Sequence, residues 1–154
     1  RSQTQKHDIV VVDNGSVDGS LDAITKGFPE VHVIALPHNT GFTGGVNTGL
    51  RYAIDQNYEY AALLNNDATP DKNWLKELVS VLQSEPKVGI ATCKLLHTDG
   101  KYFDSTGDFY STIGIPFPRD RNLEDKGQRD SEESVFSATG GARLYRVDML
   151  RKIG

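Results

Sequence analysis

Three polar residues follow directly on a short apolar run: residues 60–64 read YAALL and are succeeded by Asn65, Asn66 and Asp67. A short apolar run that ends in turn residues is typical of a buried strand, so the polar group lies at its carboxyl end. Ligands bind at that end in open α/β sheets. Asp67 offers a carboxylate and the asparagines offer amide oxygens, which suit Mg²⁺ or Mn²⁺. The alternative, which this stretch alone favours, is a turn in which Asp67 caps the next helix.

A second candidate is Asp13, which ends the β-branched run of residues 7–13 and precedes a turn at residues 14–16. A carboxylate in this position can accept a hydrogen bond from a nucleobase N–H or a ribose hydroxyl. Asn14 and Ser16 lie beside it as further polar contacts. The alternative is that Asp13 and Asn14 only shape the turn, as Asx residues do. The residues alone do not decide between the two.

A glycine-rich stretch, NTGFTGGVNTG at residues 39–49, precedes a helical pattern. Glycines before a helix let a diphosphate approach backbone amides and the positive helix end. The stretch fits neither G-x-G-x-x-G nor the phosphate loop with its lysine, so the common dinucleotide and triphosphate motifs are excluded. The alternative is a flexible loop with helix caps. The candidate binding residues here are Asn39, Gly41, Gly44, Gly45 and Asn47.

The last candidate stretch is SATGGARLYR at residues 137–146. Gly140 and Gly141 before a strand indicate a backbone that passes close to a ligand. Arg143 and Arg146 could meet a phosphate or an acidic group. The alternative, favoured for Arg146, is a surface arginine that flanks an edge strand. Elsewhere, we predict that Cys93 is a small core residue rather than a nucleophile.

The composition excludes several classes of protein. The 154 residues are 37% hydrophobic and 25% charged, which fits one globular domain. A net charge of -4 argues against a nucleic-acid partner, which would need a basic face. One cysteine excludes an intrachain disulfide. With no signal peptide and no apolar run of about 18 residues, the chain is expected to be soluble by itself.

Strand and helix patterns alternate as far as residue 93, with strands near residues 7–13, 31–36, 60–64 and 88–93. Such alternation predicts an α/β fold with a mostly parallel sheet and helices on both faces. Short β-like pieces follow. Residues 118–134 hold one apolar residue among many charges, which predicts a mobile surface loop. This loop is either a lid over the site or inert. A short strand then follows at about residues 142–145, with a helix from Val147.

In their order and spacing, these motifs resemble the family 2 inverting glycosyltransferases of the GT-A fold, and most of all their rhamnosyltransferase-like branch. The motifs are VVVDNGSVDGS, HNTGFTGGVNTGL, LLNNDATPDKNWL, VGIATCKLLHTDGKYFDSTG and ATGGARLYRVDML. The resemblance implies a partial GT-A (Rossmann-like) domain over residues 1–154. Its nucleotide-sugar-binding half spans about 7–93, its acceptor-side segment about 94–154 and its mobile loop about 118–134.

The resemblance also implies roles by position. Asp13 matches the aspartate that contacts the nucleobase, and Asn47, with Gly44 and Gly45 before it, matches the stretch that lines the donor pocket. Asp67 matches the last aspartate of an Asp-x-Asp motif whose first position is here Asn65, so that Asp67 and the diphosphate oxygens would hold a divalent cation. The segment near sugar and acceptor is matched by Gly140, Gly141 and Arg143.

By the same resemblance, the donor is a UDP- or dTDP-sugar and the acceptor is a glycan or a lipid-linked molecule. The expected location is cytoplasmic, at the inner face of the membrane, with membrane association only through missing parts or the acceptor. The family's first strand would precede Arg1, and its Glu-Asp pair, which supplies the general base, would lie beyond Gly154.

Without that base the reaction loses a factor of about 10²–10⁴, so this fragment is expected to bind nucleotide rather than transfer sugar. The alternatives are a sugar nucleotidyltransferase and a catalytically incomplete nucleotide- or glycan-binding domain.

Overall fold

The computed structural model of the chain describes residues 3–153, so that Arg1, Ser2 and Gly154, at the ends of the predicted domain, lie outside the described residues. Helices and strands follow in this order: β1 (Val10–Asp13), α1 (Ser20–Gly27), β2 (His32–Ala35), α2 (Gly41–Asp55), β3 (Tyr60–Leu64), α3 (Trp74–Ser84), β4 (Ile90–Thr92), β5 (Leu95–Leu96), β6 (Phe103–Ser105), β7 (Asp108–Tyr110), β8 (Pro116–Pro118), β9 (Ala142–Arg146) and α4 (Val147–Ile153).

The fold is mixed α/β, as predicted, but the mostly parallel sheet is not observed. Among residues 3–153, only β1 and β2 pair in parallel. β9 lies between β3 and β4 and runs antiparallel to both. The strands β3 and β4 therefore point the same way, as expected, but the late strand β9 occupies the edges through which they would have paired. β9 is thus the central strand of its sheet and not the edge strand considered for Arg146.

The largest change in an element's bounds concerns α2, which begins at Gly41 and so includes glycines that were expected in a loop. These glycines let the helix lie close to β1 and its turn. A Cβ on Gly45 would lie 3.4 Å from Nδ2 of Asn14, and one on Gly49 would lie 3.5 Å from Cγ2 of Val12. α2 also contacts β3 and α4. The glycine-rich stretch is therefore the helix start itself, packed against the end of β1.

The main core lies between α3 and the sheet of β3, β9 and β4. Four residues of α3 pack with one residue each of β4 and β9: Leu75, Leu78, Val79, Leu82, Ala91 and Leu144. Trp74 and Cys93 pack against this cluster, and the Trp74 Nε1–H lies 3.3 Å from the Cys93 Sγ that accepts it. Burial raises the pKa of the Cys93 thiol. The prediction that Cys93 is a core residue is therefore confirmed.

Truncating Leu82 to alanine should remove about 2–5 kcal/mol from the free energy of unfolding, because the side chain is fully buried (0% exposed) and would leave a cavity. Leu123, which is 55% exposed, gives a matched control whose truncation should cost under about 1 kcal/mol. Urea denaturation of both variants measures the difference. Equal losses would contradict this placement of the core.

Residues 118–134 contain little regular structure, as expected, yet their charges are specifically paired. Arg119 is buried and donates to the Thr106 carbonyl oxygen, with Nη2 at 2.6 Å, and to Glu133 at 2.9 Å. Asp120 accepts hydrogen bonds from Thr106 Oγ1 at 2.8 Å and from Arg129 Nε at 2.6 Å. The segment is thus tied to the strand end at Thr106.

A second tie joins this segment to Lys94, which follows β4. The Lys94 ammonium lies 2.7 Å from Asp125 and 2.5 Å from Asp130. The hydrogen bond from Lys94 lowers the pKa of the Asp125 carboxyl, and that from Arg119 lowers the pKa of Glu133. The paired charges hold the segment in a defined position beside β4 and β6.

These shifts set the pH dependence of the segment. A carboxyl whose folded-state pKa is lowered stabilises the fold above its unfolded pKa, about 4, and this contribution is lost as pH falls through the lower folded value. Limited proteolysis within residues 118–134 should therefore be unchanged from about pH 5 to 8 and should accelerate only below about pH 4. Acceleration on going from pH 8 to pH 6 would contradict the pairing.

No helix within residues 3–153 has the length and apolar character needed to cross a bilayer.

Candidate functional site

The turn after β1 is fastened to the start of α2 by the side chain of Asn14. Its Oδ1 accepts hydrogen bonds from the backbone N–H and the hydroxyl of Thr40, both at 2.9 Å. Its Nδ2 donates to the Gly41 carbonyl oxygen at 2.9 Å and to Asn39 Oδ1 at 3.2 Å. The carboxyl end of β1 and the amino end of α2 therefore form one unit, as the candidate residues from the two stretches require.

The same unit brings two turns into backbone contact. Gly15 has φ +77°, a conformation that favours glycine, and a Cβ there would lie 2.6 Å from the His38 carbonyl carbon. β1 and β2 end side by side, and the Leu36 N–H donates to the Asp13 carbonyl oxygen at 2.8 Å. Because the turns after both strands touch, the glycine-rich helix start lies directly beside Asp13.

The α2 amino terminus presents its first amides at this place. The Gly41 N–H donates to Asn39 Oδ1 at 2.8 Å, which leaves the amides of the following residues as the positive end of a 15-residue helix. Backbone N–H groups at a helix start are suited to bind a phosphate. Asn47, one turn further along α2, is exposed.

Asp13 is 6% exposed, and its Oδ2 accepts the backbone N–H of Ser16 at 3.3 Å. The carboxylate therefore orders the turn, as the alternative interpretation proposed. One hydrogen bond leaves lone pairs unused on a carboxylate. Its role as a nucleobase contact stays a prediction.

The polar end of β3 meets the glycines that precede β9. The Asn65 N–H donates to the Gly141 carbonyl oxygen at 2.9 Å, which continues the β3–β9 ladder. A Cβ on Gly141 would lie 3.9 Å from Asn65 Nδ2, and one on Gly140 would lie 3.8 Å from Cζ of Phe42. Since Phe42 is in the first turn of α2, Gly140 and Gly141 connect the β3 end to the Asn14 unit.

Asn66 and Asp67 form an exposed turn after β3. Among residues 3–153, no hydrogen bond or ion pair engages the Asp67 carboxylate, and no group of three His, Cys, Asp or Glu side chains converges as a metal site. One carboxylate and neighbouring amide oxygens are a hard-ligand set that fits Mg²⁺ or Mn²⁺ when substrate phosphates complete the coordination. The residues therefore fit a cation that arrives with a diphosphate.

The side chain of Arg143, another site candidate, interacts with neighbouring residues of its own chain. Its Nη1 donates to the Ala138 carbonyl oxygen at 3.2 Å, and its guanidinium carbon lies 5.0 Å from the Tyr145 ring centroid. Its Nε is buried without a hydrogen-bond partner in the described chain. Arg146 donates to the carbonyl oxygens of Leu82 and Val88, away from the site.

Three residues of this region were not among the sequence candidates. Thr40 bonds Asn14, Phe42 lies over Gly140, and a Cδ1 of Leu95 would lie 3.2 Å from a Cβ on Gly141. Thr40 and Phe42 lie inside the glycine-rich stretch of residues 39–49, so the sequence could have indicated them as site residues. No sequence motif pointed to Leu95, because its contact with Gly141 depends on how β4 and β9 pair.

A cavity of about 460 Å³ lies at the opposite end of β1 and β2, between residues that include Asp8, His32, Tyr52 and Tyr58. The Tyr58 hydroxyl donates to Asp8 at 2.6 Å, and this bond raises the pKa of Tyr58 to about 12. The cavity has no glycine-rich turn or helix start, so the candidate site remains the strand and helix ends described above.

The described part of the chain is thus an α/β domain with polar and glycine-rich turns gathered where β1 and β3 end and α2 and β9 begin. The full chain, residues 1–154, matches the family model Glycosyl transferase family 2. The chain belongs to this family, which confirms the family-level resemblance and implies the GT-A fold.

One similar protein is the "Low-salt glycan biosynthesis hexosyltransferase Agl10" of Haloferax volcanii, at 32% identity over 113 residues. The match covers 70% of this chain and 36% of that protein, so the chain spans about a third of that relative. A similar solved structure is described as "Crystal Structure of A197 from STIV", with a TM-score of 0.55 and 12% identity. That likeness covers 95% of this chain and 67% of that one, and it concerns the fold alone.

Proposed function

We propose that this chain binds the donor within a glycosyltransferase that moves a sugar from a nucleoside diphosphate to an acceptor hydroxyl with inversion, in the synthesis of a polysaccharide or cell-surface glycan. The observation that carries this proposal is the contact series from Asn14 through Gly41 and Phe42 to Gly140 and Asn65. It places a helix start, an exposed carboxylate turn and two close-approach glycines beside one another. Family membership and the glycan-biosynthesis name of the Haloferax protein support the same reaction class.

Each part of the site has a task in this reaction. The first amides of α2 bind the diphosphate, and Asp13 with Asn14 and Ser16 lies where nucleobase and ribose are held. Gly140 and Gly141, which Phe42 and Leu95 approach closely, belong to the segment that faces the sugar and acceptor in this proposal. In the reaction the acceptor oxygen bonds to the anomeric carbon, the bond to the diphosphate breaks, and the acceptor proton passes to a base.

Negative charge grows on the departing diphosphate, and preorganised positive charge is most effective there. The α2 amino terminus supplies part of that charge. A bound Mg²⁺ or Mn²⁺ would supply the rest as a Lewis acid. Within this chain, Asp67 with Asn65 and Asn66 would hold that ion.

The proposal is tested by isothermal titration of the protein with UDP and with dTDP, in the presence and absence of Mn²⁺. We expect saturable binding of at least one nucleotide that tightens with Mn²⁺. Because one carboxylate is a weak site for a free ion, Mn²⁺ without nucleotide should give no saturable heat in the same concentration range. The proposal is rejected if neither nucleotide gives heat with or without the metal.

A further inference from the structure

The β7–β8 hairpin carries an apolar surface that no other described part of the chain covers. Residues 109–118, FYSTIGIPFP, contain no charged side chain, although 25% of the whole chain is charged. At the turn, Ile113 is 79% and Ile115 is 57% exposed. Tyr110 and Phe117, on the two strands, are about half exposed. Exposed apolar clusters of this kind mark interaction sites.

Phe136 extends this cluster toward the candidate site. Its ring centroid lies 5.3 Å from that of Tyr110, and it is 71% exposed. The backbone at Ser137 is fixed to Asp108 by hydrogen bonds of 2.9 and 3.2 Å. Gly140, four residues after Phe136, lies beside Phe42. Because Phe117 pairs with Phe109 and Tyr110 pairs with Pro116, Tyr110 and Phe136 lie on one face of the hairpin and Phe117 lies on the other. We call the exposed apolar side chains of the turn and the two faces the apolar hairpin surface: Tyr110, Ile113, Ile115, Phe117 and Phe136.

Two kinds of protein partner fit this surface poorly. β8 reads Pro116-Phe117-Pro118, and prolines lack the N–H that a further strand would need, so strand addition along β8 is blocked. A stable interface with a second copy usually needs about 20–30 residues a side. The apolar hairpin surface has five side chains, of which only Tyr110 and Phe117 lie on β7 and β8, and this is far fewer.

We propose that the apolar hairpin surface inserts into the interfacial region of a lipid bilayer. Its turn is narrow, apolar and uncharged, which matches the neutral boundary between headgroups and acyl chains, and Tyr110 offers a ring with a polar hydroxyl. Arg119, at the base of the hairpin, lies 5.7 Å from the Phe109 ring centroid, and its charge is paired with Glu133. The chain's net charge of -4 gives no attraction to anionic lipid, so insertion depends on apolar burial.

Insertion would hold the candidate site at the bilayer surface, through Phe136 and Gly140. It also changes the sequence-based expectation, because membrane contact then arises from this chain and not only from parts outside it or from the acceptor. The proposal does not depend on sugar transfer, and nucleotide titration tests that function separately.

The test is flotation of the protein with phosphatidylcholine vesicles at low and high salt. We expect the protein to float with the vesicles equally at both salt concentrations. The double variant Ile113→Ser with Ile115→Ser should lower the lipid partition coefficient about ten-fold or more. The matched control is Val17→Ser with Ile153→Ser, which removes two apolar side chains elsewhere that are at least as exposed (101% and 70%) and should float like the original protein.

A second readout is the variant Ile113→Trp, whose fluorescence emission should shift to shorter wavelength when vesicles are added. The proposal is overturned by any of four results: no flotation, flotation abolished by salt, an equal loss in the control pair, or flotation without the emission shift. A concentration-dependent dimer that the Ile113→Ser, Ile115→Ser variant abolishes would also overturn it, in favour of a second copy of the chain.

Discussion

Replacing Gly15 by alanine is expected to lower the free energy of unfolding by about 2–6 kcal/mol. This is a large loss for a substitution that only adds a methyl group. Two costs add at this position. A non-glycine residue at φ +77° is strained, and its Cβ would lie 2.6 Å from the His38 carbonyl carbon and 2.8 Å from the Asn39 nitrogen. Backbone atoms cannot rotate away, so the turns after β1 and β2 must separate.

The matched control is Gly19→Ala. Gly19 has φ +86°, but a Cβ there meets nothing within 4 Å. It therefore carries the strain without the collision, and its loss should be about 1–2 kcal/mol. Urea denaturation gives both values. A loss for Gly15→Ala no larger than that for Gly19→Ala would show that the two turns are not in backbone contact.

The second large effect concerns Asp67. Replacing it by alanine should remove the metal-dependent part of nucleotide affinity, a loss of at least about 100-fold, because losing even an outer-shell partner costs about 10–100-fold in metal affinity. Asp67→Asn should behave in the same way, since the amide keeps the shape but not the charge. Titration with UDP or dTDP at fixed Mn²⁺ measures this effect.

Two comparisons make that result specific. Asp22→Ala removes an exposed carboxylate of α1 that pairs with Lys26, and it should leave the nucleotide affinity unchanged. Nucleotide binding without metal should be the same in Asp67→Ala and the original protein. If Asp67→Ala keeps the metal-dependent affinity, Asp67 is a turn residue only, which is the alternative that the sequence alone favoured.

Much of the strand and helix order could be predicted because it depends on local patterns. The run of residues 60–64 and the polar residues after it gave both β3 and its exposed end. Leu75, Leu78 and Leu82 of α3 recur at helical spacing, which is also a local pattern and marks the face of the helix that packs in the core. The prediction that failed concerned which strands pair with each other. Nothing in the residues of β9 indicates that this strand enters between β3 and β4, because that choice depends on the competing edges of the whole sheet.

Side-chain partners were the other part that could not be read locally. Residues 118–134 are dense in charge, which predicted a solvated loop, but Arg119 is buried against Thr106. The stretch NTGFTGG contained the helix start, but its bounds depended on Asn14, 25 residues before Asn39. In both cases the deciding contact lies far away along the chain.

The four sequence stretches that supplied the site candidates come together in one region of the fold. Two of the candidate side chains, however, form hydrogen bonds within the chain itself. Asp13 is buried and accepts a hydrogen bond from its own turn, and Arg143 donates to Ala138. Strand ends and glycines are placed by the backbone, which local patterns describe well. The direction of a long side chain such as Arg143 depends on its neighbours in the folded protein.

The central claim is that nucleotide and metal bind together at the turns that carry Asn14, Gly41, Asn65 and Gly141. Its most direct test is the loss of amide signals in nitrogen–proton NMR spectra of the protein with UDP, or dTDP if that nucleotide binds more tightly, when Mn²⁺ is added. We predict broadening of the amides at these four residues, while those of Val88 and Tyr58, remote from the site, stay sharp. Broadening centred on Tyr58 and the cavity near Asp8, with the four site amides unaffected, would contradict the account.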